Sequence, residues 1–97
     1  MKYTITHLND TTIICFQTGA LVIVDENLEQ WVASPLPHSY PWIKFINPPS
    51  HPELLELFIR PDGTQKWYNA GLLHRKDGPA FIRINGEKEW WISGLRQ

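Results

Sequence analysis

The sequence predicts a mainly β protein, an antiparallel sheet built from an N-terminal meander and stacked β-hairpins, with little or no helix. Two observations carry this prediction: short apolar runs alternate with turn dipeptides, and the segment Phe58–Tyr68 is written again as Phe81–Trp91. The chain has 97 residues, 42% of them hydrophobic and 12% aromatic. That is enough apolar surface for one core and too little for two. We therefore expect a single domain over residues 1–97.

Residues 1–33 are interpreted as a three-stranded meander. Its strands are short runs rich in β-branched and aromatic residues, a composition typical of sheets. The turn signals Asn9-Asp10 and Thr18-Gly19 separate them. Residues 26–33 fit either a further strand or a short helix. The three runs are Tyr3–His7, Thr12–Phe16 and Ala20–Val24.

Residues 34–57 are interpreted as a proline-rich connector. Six prolines fall between residues 34 and 52, and proline is excluded from the interior of regular ladders. We expect an irregular surface segment held by Trp42 and Phe45. The following run, Leu54–Leu57, either forms a helical turn or leads directly into a strand at Phe58. The conformation of residues 26–57, and whether Trp31, Trp42 and Trp91 belong to the core or to an interface, stay open.

Residues 58–97 contain an internal repeat with one constant offset. Phe58 and Phe81, Trp67 and Trp90, and each pair of turn glycines lie 23 residues apart. A fainter third copy precedes them, because Lys44–Asn47 echoes Lys66–Asn69 and His51 matches His74 once one residue is skipped. The residues assigned a structural role in the repeat are Phe58, Gly63, Trp67, Gly71, His74, Asp77, Gly78, Pro79, Phe81, Gly86, Trp90 and Gly94.

Each copy is predicted to be a hairpin. Asp62-Gly63 and Asn85-Gly86 suit the two central positions of a type I′ turn. With that two-residue loop, Phe58 faces Trp67 and Phe81 faces Trp90, and both tryptophans are expected in the core. A longer loop would shift every cross-strand partner by one residue. Corners are expected at Gly71 and at Asp77-Gly78-Pro79.

The duplicated segments resemble the MORN-like repeats of bacterial and phage proteins, which follow the pattern W-Y-x-N-G-x-x-H-R-x-D-G-P-A. The matching stretches are Trp67–Gly71, His74–Ala80 and Trp90–Gly94, with Ala70 in place of the usual Asn. The resemblance covers about residues 58–97. It implies stacked hairpins, protein–protein contact, sometimes lipid contact, and inhibitor or antitoxin-like roles. It implies no catalytic residue.

No catalytic, metal or cofactor motif stands out. His74 and Asp77 could form an acid/base pair, but side chains at a hairpin corner more often satisfy turn backbone groups. The four histidines and Cys15 lack the spacing of a zinc site, and no glycine-rich phosphate loop is present. Cys15 lies in an apolar strand and is expected to be buried and unreactive. We expect no enzyme, no metal and no cofactor.

Charge and hydropathy limit the partners. The net charge of −1 argues against nucleic acid, yet residues 58–97 carry seven bases and four acids whereas residues 1–57 carry two bases and six acids. No apolar run approaches the roughly 20 residues of a membrane span. The single cysteine and the absence of a signal-peptide pattern predict a cytoplasmic protein.

The sequence therefore predicts a non-enzymatic module that binds and blocks another macromolecule, with an acidic protein surface favoured as the partner. The last strand, near Glu89–Ser93, has no capping element, so a homodimer through this edge is a further hypothesis. Two alternatives remain: sequestration of a nucleotide-like anion between aromatic walls and Arg75 or Arg83, and single-stranded nucleic-acid binding. The predicted contact residues are Tyr68, Arg75, Lys76, Arg83, Trp91 and Arg96.

Overall fold

A computed structural model describes residues 3–35 and 42–97 of the chain. Within these ranges the regular structure is all β-strand, and the paired strands run antiparallel, which confirms the predicted fold class. The strands are β1 (Tyr3–Leu8), β2 (Thr11–Phe16), β3 (Leu21–Val24), β4 (Val32–Pro35), β5 (Ile43–Ile46), β6 (Leu55–Ile59), β7 (Gln65–Asn69), β8 (Leu72–Leu73), β9 (Phe81–Ile82), β10 (Lys88–Glu89), β11 (Trp91–Ile92) and β12 (Leu95–Arg96).

The N-terminal meander forms as predicted, in the order β1-β2-β3. Side chains alternate along β2, so Ile14 and Phe16 are buried. The same alternation turns Cys15 outward, and the prediction that this thiol is buried is wrong. After β3 the chain passes through turns into β4, so residues 26–33 form no helix. The Thr12 hydroxyl anchors this passage by accepting the Leu28 N–H at 2.8 Å.

The second sheet has the order β10-β9-β7-β6-β5-β4, with β8 paired to β7. Its strand β5 lies in the interior of the sheet, and its side chains Ile43 and Phe45 are buried. The prediction of an irregular connector over residues 34–57 is therefore wrong for β4, β5 and β6. The prolines flank β5 without entering it, and Pro35 belongs to the edge strand β4, where proline is tolerated. Residues 36–41 of the predicted connector lie outside the described residues.

The two copies of the repeat fold alike. Ile59 pairs with Gln65 in the first hairpin, and Ile82 pairs with Lys88 in the second, at the same offset of 23. The fainter third copy also appears in the register, because Lys44 faces Phe58 as Lys66 faces Phe81. The hairpins β4-β5, β6-β7 and β9-β10 therefore stack edge to edge in one consistent arrangement.

The turn type differs from the prediction. The Arg60 N–H donates to the Thr64 carbonyl at 3.0 Å, and the Gly63 N–H donates to the Arg60 carbonyl at 3.0 Å, with φ of Gly63 at 99°. This is a longer connection, with a tight turn followed by a left-handed glycine. Every partner shifts by one residue, so Phe58 faces Lys66 and Trp67 faces Leu57.

The two-residue turns with positive φ at both central positions lie elsewhere. They are Ala70-Gly71, with φ of 51° and 81°, and Ser93-Gly94, with φ of 49° and 81°. These turns close the pairs Asn69–Leu72 and Ile92–Leu95, again at an offset of 23. The corner expected at Gly71 is thus the type I′ connection.

One core joins the two sheets. The meander covers one face of the larger sheet, and the Gln65 amide donates across the contact to the Ile23 carbonyl at 3.0 Å. Trp67 is fully buried, as predicted, but Trp90 is 49% exposed, so its predicted place in the core is wrong. The buried cluster consists of Ile14, Phe16, Val22, Val24, Leu28, Ile43, Phe45, Leu57, Ile59, Trp67 and Ala80.

Candidate functional site

The larger sheet has an outer face, directed away from the core, on which aromatic and cationic side chains alternate. The alternation of strand residues produces it, because Leu57 and Ile59 point inward while Phe58 points outward. The stacked register then places Phe81 beside Lys66, and Phe58 beside Lys44. The outer face is defined by Trp42, Lys44, Phe58, Arg60, Lys66, Tyr68, Phe81 and Arg83.

Cations lie against the rings of this face. The Arg60 guanidinium is 4.7 Å from the Trp42 ring centroid, and Arg83 is 4.7 Å from that of Phe81. The Lys66 ammonium lies between both rings, 5.5 Å from Trp42 and 4.9 Å from Phe81. Such contacts stabilise by about 0.5–1 kcal/mol each at exposed sites. They favour positions of these long, flexible cations close to the rings.

The rings also contact one another. Phe58 meets Trp42 edge-on with centroids 6.3 Å apart, and it meets Tyr68 edge-on at 5.5 Å. Edge-to-face geometry is favoured by the ring quadrupoles. Burial raises the pKa of the Tyr68 phenol, so its hydroxyl stays protonated at neutral pH and can donate a hydrogen bond. The outer face is therefore an ordered surface with a polar donor at one side.

Carboxylates neutralise part of the outer face. Lys44 Nζ lies 2.7 Å from Glu56 Oε2, and Arg83 Nε lies 2.6 Å from Glu89 Oε2. Hydrogen bonds from Arg83 and from the Trp91 indole lower the pKa of Glu89. Among the described residues, no carboxylate lies within ion-pair distance of Lys66. Lys66 is thus the cation best placed to accept a carboxylate from a partner.

His74 performs a structural role at its corner. Its Nδ1 accepts the Ser93 N–H at 2.9 Å, so the ring proton sits on Nε2, which donates to Glu53 Oε2 at 2.7 Å. The residue is 3% exposed. The carboxylate partner is Glu53 and not Asp77, and both ring nitrogens are occupied. Neither nitrogen is left to take a proton from a substrate.

Arg75 connects the meander to the repeats. Its guanidinium lies over the Trp67 ring, donates to Asp25 Oδ1 at 2.9 Å and donates to the Pro79 carbonyl at 3.2 Å. Arg75 is 5% exposed, so its expected place in a contact face is wrong. Burial raises the pKa of the neighbouring Glu26 carboxyl, although Arg75, at 3.9 Å, acts to lower that pKa.

The other predicted contact residues are scattered. Tyr68 and Arg83 lie on the outer face, whereas Lys76 is exposed beside Glu53 at 3.8 Å. Trp91 packs against the core, and Arg96 is exposed on the terminal hairpin, which consists of β11 and β12. The sequence interpretation missed most of the outer face. The repeat contained the missing signal, because it aligns Phe58 with Phe81 and, through the fainter third copy, Lys44 with Lys66 as outward-facing positions.

Besides Trp91, the sequence leaves two other tryptophans open between core and interface. Trp31 packs against the core cluster, and Trp42 belongs to the outer face. Within residues 3–35 and 42–97, no group of three or more His, Cys, Asp or Glu side chains could hold a metal ion. The described part of the chain has no helix of the length and apolarity that a membrane crossing requires.

No family model, curated protein or solved structure matches this chain. The geometry of the outer face and the residues of the repeat are therefore the features that indicate a function.

Proposed function

We propose that the chain is a non-enzymatic protein-binding module whose contact surface is the outer face. The observation that carries this proposal is the concentration of four aromatic and four cationic side chains on one partly exposed sheet face. The opposite face is covered by the meander. Aromatic residues and arginine are the types enriched at the energetic centres of protein interfaces.

The charge of the outer face favours an acidic partner surface. Lys66 offers an ammonium held between Trp42 and Phe81, and Arg60 lies only loosely beside Asp62, at 3.7 Å. A partner carboxylate could bind these two cations without first breaking a close ion pair. Complementary charge of this kind raises the association rate and selects partners.

The same contacts argue against single-stranded nucleic acid. A stacking platform needs free ring faces on which bases can lie. Here Arg60 and Lys66 occupy positions over Trp42, while Lys66 and Arg83 occupy positions over Phe81. Bases would have to displace these cations. An anion-sequestering pocket is disfavoured as well, because Arg75 is buried and Arg83 is paired with Glu89.

The specific form of the proposal is a small bacterial or phage inhibitor or antitoxin-like protein that binds and blocks its partner. This form rests on the resemblance of residues 58–97 to MORN-like repeats. Blocking needs only a stable surface complementary to the target, and the outer face requires no moving part and no cofactor to provide it.

Charge reversal on the outer face tests the proposal. The tagged chain would be used to capture proteins from bacterial lysate, comparing the wild type with Lys66→Glu, Arg60→Glu and the matched control Arg96→Glu on the terminal hairpin. We expect the two outer-face variants to lose a protein that the wild type and the control retain, with thermal unfolding showing that all variants fold. Capture that survives Lys66→Glu and Arg60→Glu would contradict the proposal.

A second measurement separates the alternatives. Binding of a labelled oligonucleotide that weakens steeply with salt would replace the protein proposal with a nucleic-acid one. Thermal stabilisation by a nucleotide would favour the sequestration alternative. We expect neither effect.

A further inference from the structure

Trp67 and Trp90 occupy equivalent positions in the two repeat copies but meet different surroundings. Trp67 is fully buried, whereas Trp90 is 49% exposed. Each tryptophan opens a tight hairpin with the same closing hydrogen bond. The Trp67 carbonyl accepts the His74 N–H at 3.0 Å, and the Trp90 carbonyl accepts the Gln97 N–H at 2.8 Å. The difference therefore lies in what covers each ring and not in how its hairpin folds.

Trp67 packs into the buried cluster, and residues 75–82 add a further set of contacts to it. The Ala80 carbonyl accepts the Trp67 N–H at 2.8 Å, and the Arg75 guanidinium lies 3.9 Å from the ring centroid. Strand β9 then continues alongside β7, pairing Ile82 with Gln65. These added contacts thus come from an arginine, a carbonyl acceptor five residues later and a short antiparallel strand.

The ring and the backbone N–H of Trp90, in the second copy, lack these contacts. Strand β10 is at the end of the sheet, with β9 as its neighbour, and the Trp90 N–H makes no backbone hydrogen bond among the described residues. We call the edge formed by Lys88, Glu89 and Trp90 the open end. An edge with an exposed large aromatic side chain favours strand addition.

We propose that the open end binds an extended segment of a partner protein that reproduces the chemistry of residues 75–82. An arginine would lie over the Trp90 ring, a small residue five positions later would accept the Trp90 N–H, and the following residues would pair with β10. Arginine suits this place better than lysine because its planar guanidinium stacks on an indole. This proposal rests on the proposed protein-binding function and adds a second surface with a defined partner chemistry.

A second copy of the chain is a poorer occupant. Its own residues 75–82 are engaged with its own Trp67, and Arg75 and Ala80 are buried. Releasing this segment would break the bridge to Asp25 and uncover the core. A segment of another protein with the same chemistry would bind the open end without this cost.

A peptide with the sequence of residues 72–84 is the probe. Its fluorescently labelled form would be titrated with the full chain and followed by anisotropy. We expect saturable binding that weakens about tenfold in Trp90→Ala, and similarly when the peptide carries Arg75→Ala. Amide hydrogen exchange should show new protection at Trp90. The outer-face variant Lys66→Glu should bind the peptide as the wild type does, which separates this test from that of the proposed function.

Three results would overturn the inference. The first is no binding of the peptide to the wild type at millimolar concentration. The second is binding that Trp90→Ala leaves unchanged, which would indicate strand exchange elsewhere. The third is concentration-dependent dimerisation that Trp90→Ala abolishes, which would make a second copy the occupant.

Discussion

The guanidinium of Arg75 lies 3.9 Å from the centre of the Trp67 ring, in the middle of the protein. The same side chain reaches Asp25, which follows the last strand of the meander, and Pro79, which precedes the second repeat copy. The burial of this arginine is partly compensated, because Asp25 and the Pro79 carbonyl accept hydrogen bonds from its two terminal nitrogens, whereas its Nε is buried without a partner among the described residues. Arg75 therefore holds three parts of the chain together, and the outer face depends on it indirectly.

Replacing Arg75 should destabilise the fold. Arg75→Ala leaves the Pro79 carbonyl without its donor and removes the cation from Trp67, so we expect the free energy of unfolding to fall by about 2–4 kcal/mol. Arg75→Lys should lose less stability than Arg75→Ala because it keeps the positive charge. It should still lose some stability because lysine lacks the planar guanidinium. Urea unfolding measures both. The control is Lys76→Ala at the exposed neighbouring residue, with an expected change below about 0.5 kcal/mol. Equal losses of stability in Arg75→Ala and Lys76→Ala would show that Arg75 does not hold the parts of the chain together.

Gly78 should be coupled to Arg75. A Cβ at Gly78 would lie 2.8 Å from Arg75 Cζ, which is too close for the buried guanidinium to keep its place. We expect Gly78→Ala to cost about 1–3 kcal/mol in the wild type. In the Arg75→Ala background the obstacle is absent, and the cost should largely vanish. A double-mutant cycle by urea unfolding gives the coupling energy; additive losses would show that Gly78 acts independently of Arg75.

The two equivalent tryptophans should differ sharply in their contribution to stability. Trp67 is fully buried, and Trp67→Ala should lower the free energy of unfolding by about 3–5 kcal/mol. Trp90 is 49% exposed, and Trp90→Ala should cost about 1 kcal/mol or less. Each variant is the control for the other, since repeat position and residue type are the same. A large loss in Trp90→Ala would mean that the open end contributes to the core.

The sequence predicted well what depends on local composition. The meander strands follow from β-branched runs between turn residues, and the repeat offset of 23 is kept in the register of both hairpins. The loop length was not predictable, because Asp62-Gly63 suits more than one turn. The loop gains one residue, Pro61, and Arg60 and Thr64 on either side of it are joined by a hydrogen bond that no composition rule reveals. A shift of one residue then placed Phe58 opposite Lys66 on the outer face and not opposite Trp67.

The misplaced residues of the candidate site share one cause. Burial depends on what packs from elsewhere in the chain, and a single sequence does not show it. Arg75 is buried over the Trp67 ring, and its charge is paired with Asp25, fifty residues earlier. Trp90 is 49% exposed because it lies outside the buried cluster into which Trp67 packs. Prolines near β5 concealed a central strand, since they flank it without interrupting it.

Glu89 should make stability depend on pH in the acid range. Hydrogen bonds from Arg83 and Trp91 lower its pKa in the folded protein, so the ionised form stabilises the fold. This contribution is present above the ordinary glutamate pKa of about 4.3 and is lost as the pH falls through the lowered value. Glu89→Gln should be less stable at pH 7, and the difference from the wild type should disappear in acid.

Thermal unfolding of Glu89→Gln and wild type across this range measures the effect, and the exposed Glu87→Gln serves as the matched control. A difference between Glu89→Gln and wild type that stays constant from neutral to acid pH would mean that lost packing, and not the charge of Glu89, is responsible.

Glu26 should have the opposite effect to Glu89 on how stability depends on pH. Burial raises the pKa of its carboxyl, so ionisation is less favourable in the folded protein than in the unfolded chain. The loss of stability caused by ionised Glu26 is present in full above the raised pKa and is relieved as the pH falls towards the ordinary value of about 4.3. Glu26→Gln should therefore be more stable than the wild type at pH 7, with the gain shrinking in acid, while the exposed Glu29→Gln should leave the pH profile unchanged. Urea unfolding at neutral and acid pH measures both variants. A loss of stability in Glu26→Gln at pH 7 would mean that attraction to Arg75, 3.9 Å away, outweighs the cost of burial.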